Sequence, residues 1–345
     1  MKSEFSKRLR AWYEEHKRDL RWRHTRDPYH IWLSETILQQ TRVQQGAAYY
    51  DRFLEAFPSI RALAEAPEDE VLKLWQGLGY YSRARNLHAA ARRVVEEFAG
   101  HFPRHYEQVR SLPGVGEYTA AAVCSFAYGD PRAVVDGNVY RVYSRLFDID
   151  LPIDSAAGQK AFRALAEEWL DSSYPADFNQ ALMEFGALHC TPQSPRCGEC
   201  PFADRCLALA AGTVAERPVK RGRTKVRDRY LNYLHLGAAG QTLLRRRGAG
   251  DIWQGLYEFP MIETAEPTPF ERLPLAELGL ARFHLVRTVE MPPHQLSHQR
   301  LHARFYRIEV DLLPSIPGTL SIREEELDRY AVPRLIDRYL AKIPQ

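Results

Sequence analysis

Four of the five cysteines fall between Cys190 and Cys206, in the pattern Cys190-x6-Cys197-x2-Cys200-x5-Cys206. Four thiolates within seventeen residues can close on one centre, and doing so forces the chain between them into a tight loop. Disulfides do not persist in a reducing cytoplasm, so such crowding points to a metal centre rather than to crosslinks. Spacing alone accepts a structural zinc or a [4Fe–4S] cluster. With either, the first role of the loop is that of a staple fixing the chain between Cys190 and Cys197. Arg196 and Arg205 lie inside it and offer positive charge to phosphate. The fifth cysteine, Cys124, sits in a helical pattern and reads as buried packing.

The staple ends a long helical stretch. Asp27-Pro28 is a start signal, an N-cap followed by proline at the first helical position. Apolar residues then recur at helical spacing through Ile31, Trp32, Ile37 and Leu38. Similar patterns cover 43–57, 68–74, 82–98, 118–127, 139–146, 156–170 and 175–189, and the half up to Cys206 is expected to be all-α. From Glu216 to Arg229 there are seven Lys/Arg against two acids, with proline and glycine between them, which reads as an exposed basic linker. Beyond it, short runs rich in aliphatic and aromatic residues at 230–236, 241–245, 283–289 and 301–310 read as strands, closed by a helix at 332–341, in a smaller α+β domain. The expected division is 1–206, with the cysteine loop at 190–206, then a linker at 207–228 and a second domain at 229–345.

At 345 residues the chain can bury two cores. No apolar run approaches the roughly 20 residues that span a bilayer, and the charged start MKSEFSKRLRAWYEEHKRDL lacks the apolar centre of a signal peptide. A monomeric cytoplasmic protein with no membrane role is expected. The net charge of +3 is too small to argue for nucleic acid, so any basic surface must be local.

The stretch LPGVGEYTAAAVCSFAYGDPRAVVDGN carries the chemistry. Gly114 and Gly116 allow a sharp hairpin with bare N–H groups turned outward, and the helix opening near Tyr118 aims its N-terminal amides the same way. Such contacts hold a nucleic-acid backbone without reading bases. Asp136 follows a short apolar run and places an acid beside the clamped phosphate, which points to chemistry on a sugar.

Hairpin, aspartate and cysteine spacing occur in one order that resembles the helix-hairpin-helix DNA glycosylases of the endonuclease III superfamily. The resemblance implies a [4Fe–4S] cluster on Cys190, Cys197, Cys200 and Cys206, and a role at the sugar for Asp136. Strand-cutting relatives carry a lysine directly before the Thr-Ala pair; here that slot holds Tyr118, which cannot form a Schiff base, so the resemblance implies a monofunctional enzyme.

Glu35, in WLSETILQQT, resembles the glutamate of the WLSEVMLQQT segment in MutY-type adenine glycosylases. A mid-helix glutamate is ordinarily a solvated charge. Its neighbours Trp32, Leu33 and Ile37 favour burial, which would raise its pKa and let it protonate adenine N7. Adenine leaves poorly unless protonated; thymine has no such need. Asn138 is implied to orient the water or Glu35. The family also implies that Arg18, Leu20 and Trp22 pack around an extruded adenine, that Gln180 reads its edge, and that Gln40 and Tyr80 wedge into the base stack. The family's LPW is here Leu20-Arg21-Trp22.

The C-terminal strand runs, with GDIWQGLYEFP and HQLSHQRLHARFY, resemble the Nudix-like domain that this family uses to recognise 8-oxoguanine opposite adenine. Ser297 and His298 are then the implied readers, with Leu296 in place of the family's aromatic residue. Arg323-Glu324-Glu325-Glu326 lacks the upstream glycine and second glutamate pair of a hydrolytic Nudix helix. The implied substrate is double-stranded DNA with A:8-oxoguanine or A:G mispairs, met at the nucleoid. The competing readings are a mismatch thymine glycosylase, a non-catalytic damage sensor and a nucleotide pyrophosphatase.

Overall fold

The computed structural model describes residues 2–222 and 226–343; Arg223, Thr224 and Lys225 of the expected linker lie outside the described residues. The helices are α1 (Lys2–His16), α2 (Pro28–Leu38), α3 (Val43–Ala56), α4 (Ile60–Glu65), α5 (Glu68–Trp75), α6 (Ser82–Phe98) and α7 (Tyr106–Ser111). They continue with α8 (Glu117–Tyr128), α9 (Gly137–Leu146), α10 (Ala156–Trp169), α11 (Pro175–Leu188), α12 (Leu207–Ala211) and α13 (Arg334–Leu340). Among the described residues no helix is long and apolar enough to cross a membrane.

The chain divides into two units, and the division is not one cut. The first joins Met1–Ala64 to Ala89–Gly222; the second joins Glu65–His88 to the residues beyond the linker. The expected boundaries at 206 and 229 leave out that early segment, whose reason lies in side-chain partners far along the chain. Tyr257 bonds Asp69, Lys73 reaches the carbonyl of Tyr330, and Gln76 reaches Asp337. Gly255, at φ 83°, lets its loop pass within van der Waals reach of Leu72.

In the helical unit, Phe5, Leu9, Trp12 and Tyr13 recur at i, i+4, i+7 and i+8 and give α1 one apolar stripe. That stripe shares a core with Val139, Val142 and Tyr143 of α9, Phe162 of α10, and Phe178, Leu182 and Phe185 of α11. Helix α2 is buried on nearly every side, from Tyr29 through Ile37 apart from His30, and starts as expected: Asp27 accepts the Tyr29 N–H at 2.8 Å. Residues 213–221, expected as exposed linker, are tied to this unit. The Ile153 N–H donates to Val219 at 3.0 Å, Arg217 pairs with Asp148 at 2.9 Å, and the Arg221 N–H meets Asp154 at 3.0 Å.

The second unit is built on a mixed eight-stranded sheet of β1 (Arg227–Ala238), β2 (Gln241–Arg246), β3 (Tyr257–Glu258), β4 (Met261–Thr264), β5 (His284–Glu290), β6 (His294–Gln295), β7 (Gln299–Glu309) and β8 (Thr319–Arg323). Its main path runs β3-β2-β1-β7-β5, and the β1–β7 pair is parallel from Arg227↔Gln299 to Gly237↔Glu309. Side chains alternate between faces. Leu231, Tyr233 and Phe305 face α13 through Leu335, Ile336 and Tyr339. Leu234, Leu236 and Ile308 meet Leu273, Leu275 and Leu280 on the other side.

Candidate active site

A cavity of about 320 Å³ in the helical unit, within the size range of small-molecule sites, is lined by Glu35, Tyr118, Asp136, Asn138, Arg18, Leu20, Trp22 and Gln180. The fold draws these eight candidates from five separate places in the chain.

Glu35 is only 8% exposed, on a helix with no polar face to offer it. The Tyr118 hydroxyl donates a hydrogen bond to Glu35 Oε2 at 2.6 Å. Burial raises the Glu35 pKa to about 7; Asp136 pushes it the same way, while Tyr118 and the cation of Arg23 oppose the rise. Burial also holds the Tyr118 phenol well above its ordinary value, so it remains a donor.

Asp136 is the N-cap of α9. Its Oδ1 accepts the N–H groups of Asn138 at 2.9 Å and Val139 at 2.8 Å, and Oδ2 accepts from Asn138 Nδ2 at 2.7 Å. Burial raises its pKa, and these three bonds work against the rise by favouring the ionised form. Asn138 therefore reaches Asp136, where the sequence suggested water or Glu35, because the turn that makes Asp136 an N-cap folds the amide back on it. The amide is held in turn: Arg141 donates to Asn138 Oδ1 at 2.7 Å, to the Gly186 carbonyl at 2.6 Å and to the Cys190 carbonyl at 2.7 Å. Gly186 permits this approach, since a Cβ there would lie 2.7 Å from the Cβ of Asn138.

Gln180 accepts from the Tyr13 hydroxyl at 3.0 Å. One turn of α11 beyond Gln180, Glu184 is 1% exposed and takes hydrogen bonds from both Arg18 and Arg23. Glu184, Arg23, Tyr13 and Arg141 were not singled out from sequence. Glu184 carried the signal that marked Glu35, an acid inside the apolar run Ala181-Leu182-Met183-Glu184-Phe185.

The hairpin lies between α7 and α8. Gly114 takes φ 73°, the left-handed angle expected, but Gly116 is an extended N-cap at φ −87°, which other residues adopt. A Cβ on Gly116 would meet nothing within 4 Å, so its smallness leaves open space rather than relieving backbone strain. Neither glycine lines the cavity. Gln40, just after α2, is exposed and held at φ 56°. In the second unit Tyr80 is 51% exposed at φ 48°. Both wedge candidates thus sit in a conformation uncommon for a side chain of their size, of the kind that gathers at functional sites.

Tyr80 bonds Ser297 at 3.0 Å, in the turn between β6 and β7, beside exposed His298. Together with Arg85, Asp251 and Trp253 they line a second cavity of about 620 Å³. The acids at 324–326 are occupied in ion pairs with Arg307, Arg323 and Arg329.

The four clustered cysteines form no disulfide. Arg145 donates to Cys190 Sγ and the Phe202 N–H to Cys200 Sγ, each at 3.4 Å, contacts that favour thiolate sulfur. Among the described residues no three His, Cys, Asp or Glu side chains converge tightly enough to hold a single metal ion.

Residues 33–170 match the HhH-GPD superfamily of base excision DNA repair proteins, 190–206 the iron–sulfur binding domain of endonuclease III, and 232–342 the NUDIX domain. The chain is 43% identical to the adenine DNA glycosylase of Homo sapiens over 61% of its own length and 42% of that protein. It is 33% identical to the adenine DNA glycosylase of Buchnera aphidicola from Baizongia pistaciae over 74% of its own length and 73% of that one. The solved structure of a thermostable thymine-DNA glycosylase superposes with a TM-score of 0.57 at 33% identity, covering 61% of this chain and 97% of that one. The chain spans about half the length of the mammalian relatives it matches.

Proposed function

This chain belongs to the adenine DNA glycosylases, and we propose that it hydrolyses the N-glycosidic bond of adenine mispaired with 8-oxoguanine or guanine in double-stranded DNA. One observation carries the reading: a buried carboxyl poised near pH 7 shares a cavity with a second carboxyl held by three hydrogen bonds that favour its anion. Two acids with separated tendencies are what a glycosidic bond with a poor leaving group requires.

The adenine nucleotide turns out of the duplex into the cavity formed with Arg18, Leu20 and Trp22, and Gln180 meets its edge. Glu35 gives its proton to N7 as the bond stretches, and the electron pair of that bond stays with the departing base. Asp136, steadied by Asn138, stabilises the positive charge on the sugar until water adds there and loses its proton. Tyr118 has no amine to form a Schiff base, so the backbone is left uncut.

Gln40 and Tyr80 fill the space the base vacates, and Ser297 and His298 read the oxidised guanine. The hairpin at Gly114 and Gly116 holds phosphate. Cys190, Cys197, Cys200 and Cys206 hold a [4Fe–4S] cluster. The match of residues 190–206 to the iron–sulfur binding domain of endonuclease III supports it over zinc. When bound, the cluster ties the loop by thiolate bonds. The protein works as a monomer in the cytoplasm.

Adenine release from an A:8-oxoguanine duplex, compared for wild type and Glu35→Gln, tests the reading. Likeness to the thymine-DNA glycosylase structure favours a second one, thymine removal from T:G mispairs, which gives Glu35 no task. Release only at T:G would reverse the choice.

A further inference from the structure

We propose that Glu184 is a positioning residue for base excision, pinning the stretch 18–23 as a wall of the cavity and neutralising the Arg23 cation beside Glu35. The inference rests on the reading above and adds a residue to it.

The stretch from Lys17 to Asp27 has only one short turn, Arg21–Arg23, and that turn has no side-chain N-cap. Little in its own backbone fixes it, yet it carries Arg18, Leu20 and Trp22 into the cavity. Arg21 pairs with Asp51 and Trp22 packs edge-on against Tyr50, but the ties that reach Arg18 and Arg23 come from one buried carboxylate on α11. Glu184 accepts five hydrogen bonds: the N–H of Arg18 at 2.9 Å, its guanidinium at 2.8 and 2.6 Å, and the guanidinium of Arg23 at 3.1 and 2.8 Å. Arg23 also donates to the Arg18 carbonyl at 3.1 Å, closing the stretch on itself. Burial alone would raise Glu184; the two arginines outweigh it and bring the carboxyl down to about 2, so it is an anion at any working pH.

The groups that set Glu35 are Tyr118 on α8, Asp136 at the head of α9 and Arg23 on the pinned stretch. Arg23 is the one cation among these three, and it favours the ionised form, which has no proton to give. An anion on Arg23 weakens that pull. Glu184 therefore does two things: it places the wall and it keeps the acid protonated.

The test is single-turnover release of adenine from an A:8-oxoguanine duplex between pH 5 and 9, with melting curves as a folding control. Glu184→Gln keeps the shape and removes the charge. We expect the alkaline midpoint to fall by about one unit, so that the loss at pH 8 exceeds the loss at pH 5 by about tenfold. Glu184→Asp keeps the charge and restores the midpoint. Arg23→Gln moves the midpoint the opposite way, and the double variant Arg23→Gln/Glu184→Gln, which leaves no unpaired charge from this pair, stays near Arg23→Gln. Hydrogen exchange of 17–26 rises in Glu184→Gln. An unchanged midpoint in folded Glu184→Gln, or equal midpoints in Arg23→Gln and wild type, overturns the charge role; unchanged exchange overturns the pin. A wild type that releases no adenine overturns the functional reading instead, and exchange still decides the pin.

Discussion

Glu35 is the eighth of eleven residues in α2, where the backbone N–H groups around it already serve the helix. Asp136 stands one residue before α9, where the N–H groups of Asn138 and Val139 have no helical partner and turn onto its carboxylate. Both are carboxyls in the same cavity, and burial acts on both. A helix interior offers a buried carboxyl no free backbone N–H, which leaves the Tyr118 hydroxyl to oppose burial at Glu35; a helix start offers Asp136 two donors and the favourable end of the helix dipole. Position along a helix decides which of the two carboxyls has backbone donors to set against the same burial.

The sharpest way to break this comparison is to remove the proton donor. Glu35→Gln should lower single-turnover adenine release by about 10²–10⁴-fold; a loss under threefold would mean that the proton comes from elsewhere. Asp136→Asn keeps the shape and removes the anion, and should cost about 10²–10³-fold. Tyr118→Phe tests what sets the donor. The phenol favours the ionised form of Glu35, so without it the pKa of about 7 should rise, and the alkaline fall in rate should move to higher pH. A shift to lower pH would contradict the hydrogen-bond direction. Asn138→Ala removes one bond to the anion and should cost about tenfold.

The smallest effect is on stability. The Glu35 carboxyl is protonated in the folded chain up to about pH 7 and ionises near its ordinary value of 4.5 when unfolded. The unfolded chain thus holds fewer protons between these values, and stability falls as pH rises through that window. Glu35→Gln escapes this penalty. Its melting temperature relative to wild type should rise from pH 4.5 to 7 and level off above; a constant difference would mean that Glu35 is not held protonated.

Much of the architecture could be read from local pattern. The start at Asp27-Pro28, α6 and the long strands β1, β2, β5 and β7 follow from spacing alone, whereas β3 and β6 are two residues each and leave no periodic trace. Helix α1 hides its stripe of Phe5, Leu9, Trp12 and Tyr13 among charges. In the cavity, Glu35 stood out because its segment resembles that of the MutY-type glycosylases, with apolar neighbours that favour burial. Glu184 had the same surroundings, but its meaning depends on two arginines more than 160 positions away in the chain, and no window along the sequence shows such a partner. Likewise the second hydrogen-bond layer at Asp136 needs Arg141 to meet carbonyls of Gly186 and Cys190.

The grouping of residues 65–88 with the C-terminal sheet has a consequence in time. A ribosome finishes α5 well over a hundred residues before it reaches β1, on the order of ten seconds earlier at usual elongation speeds. Val71, Leu72 and Trp75 are wholly buried in the finished protein, yet groups that tie down their helix and the residue after it, at Tyr257, Tyr330 and Asp337, are made far later. The second unit is therefore assembled out of order around its earliest piece. A fragment synthesised from residue 229 onward would lack the part that the cell makes first.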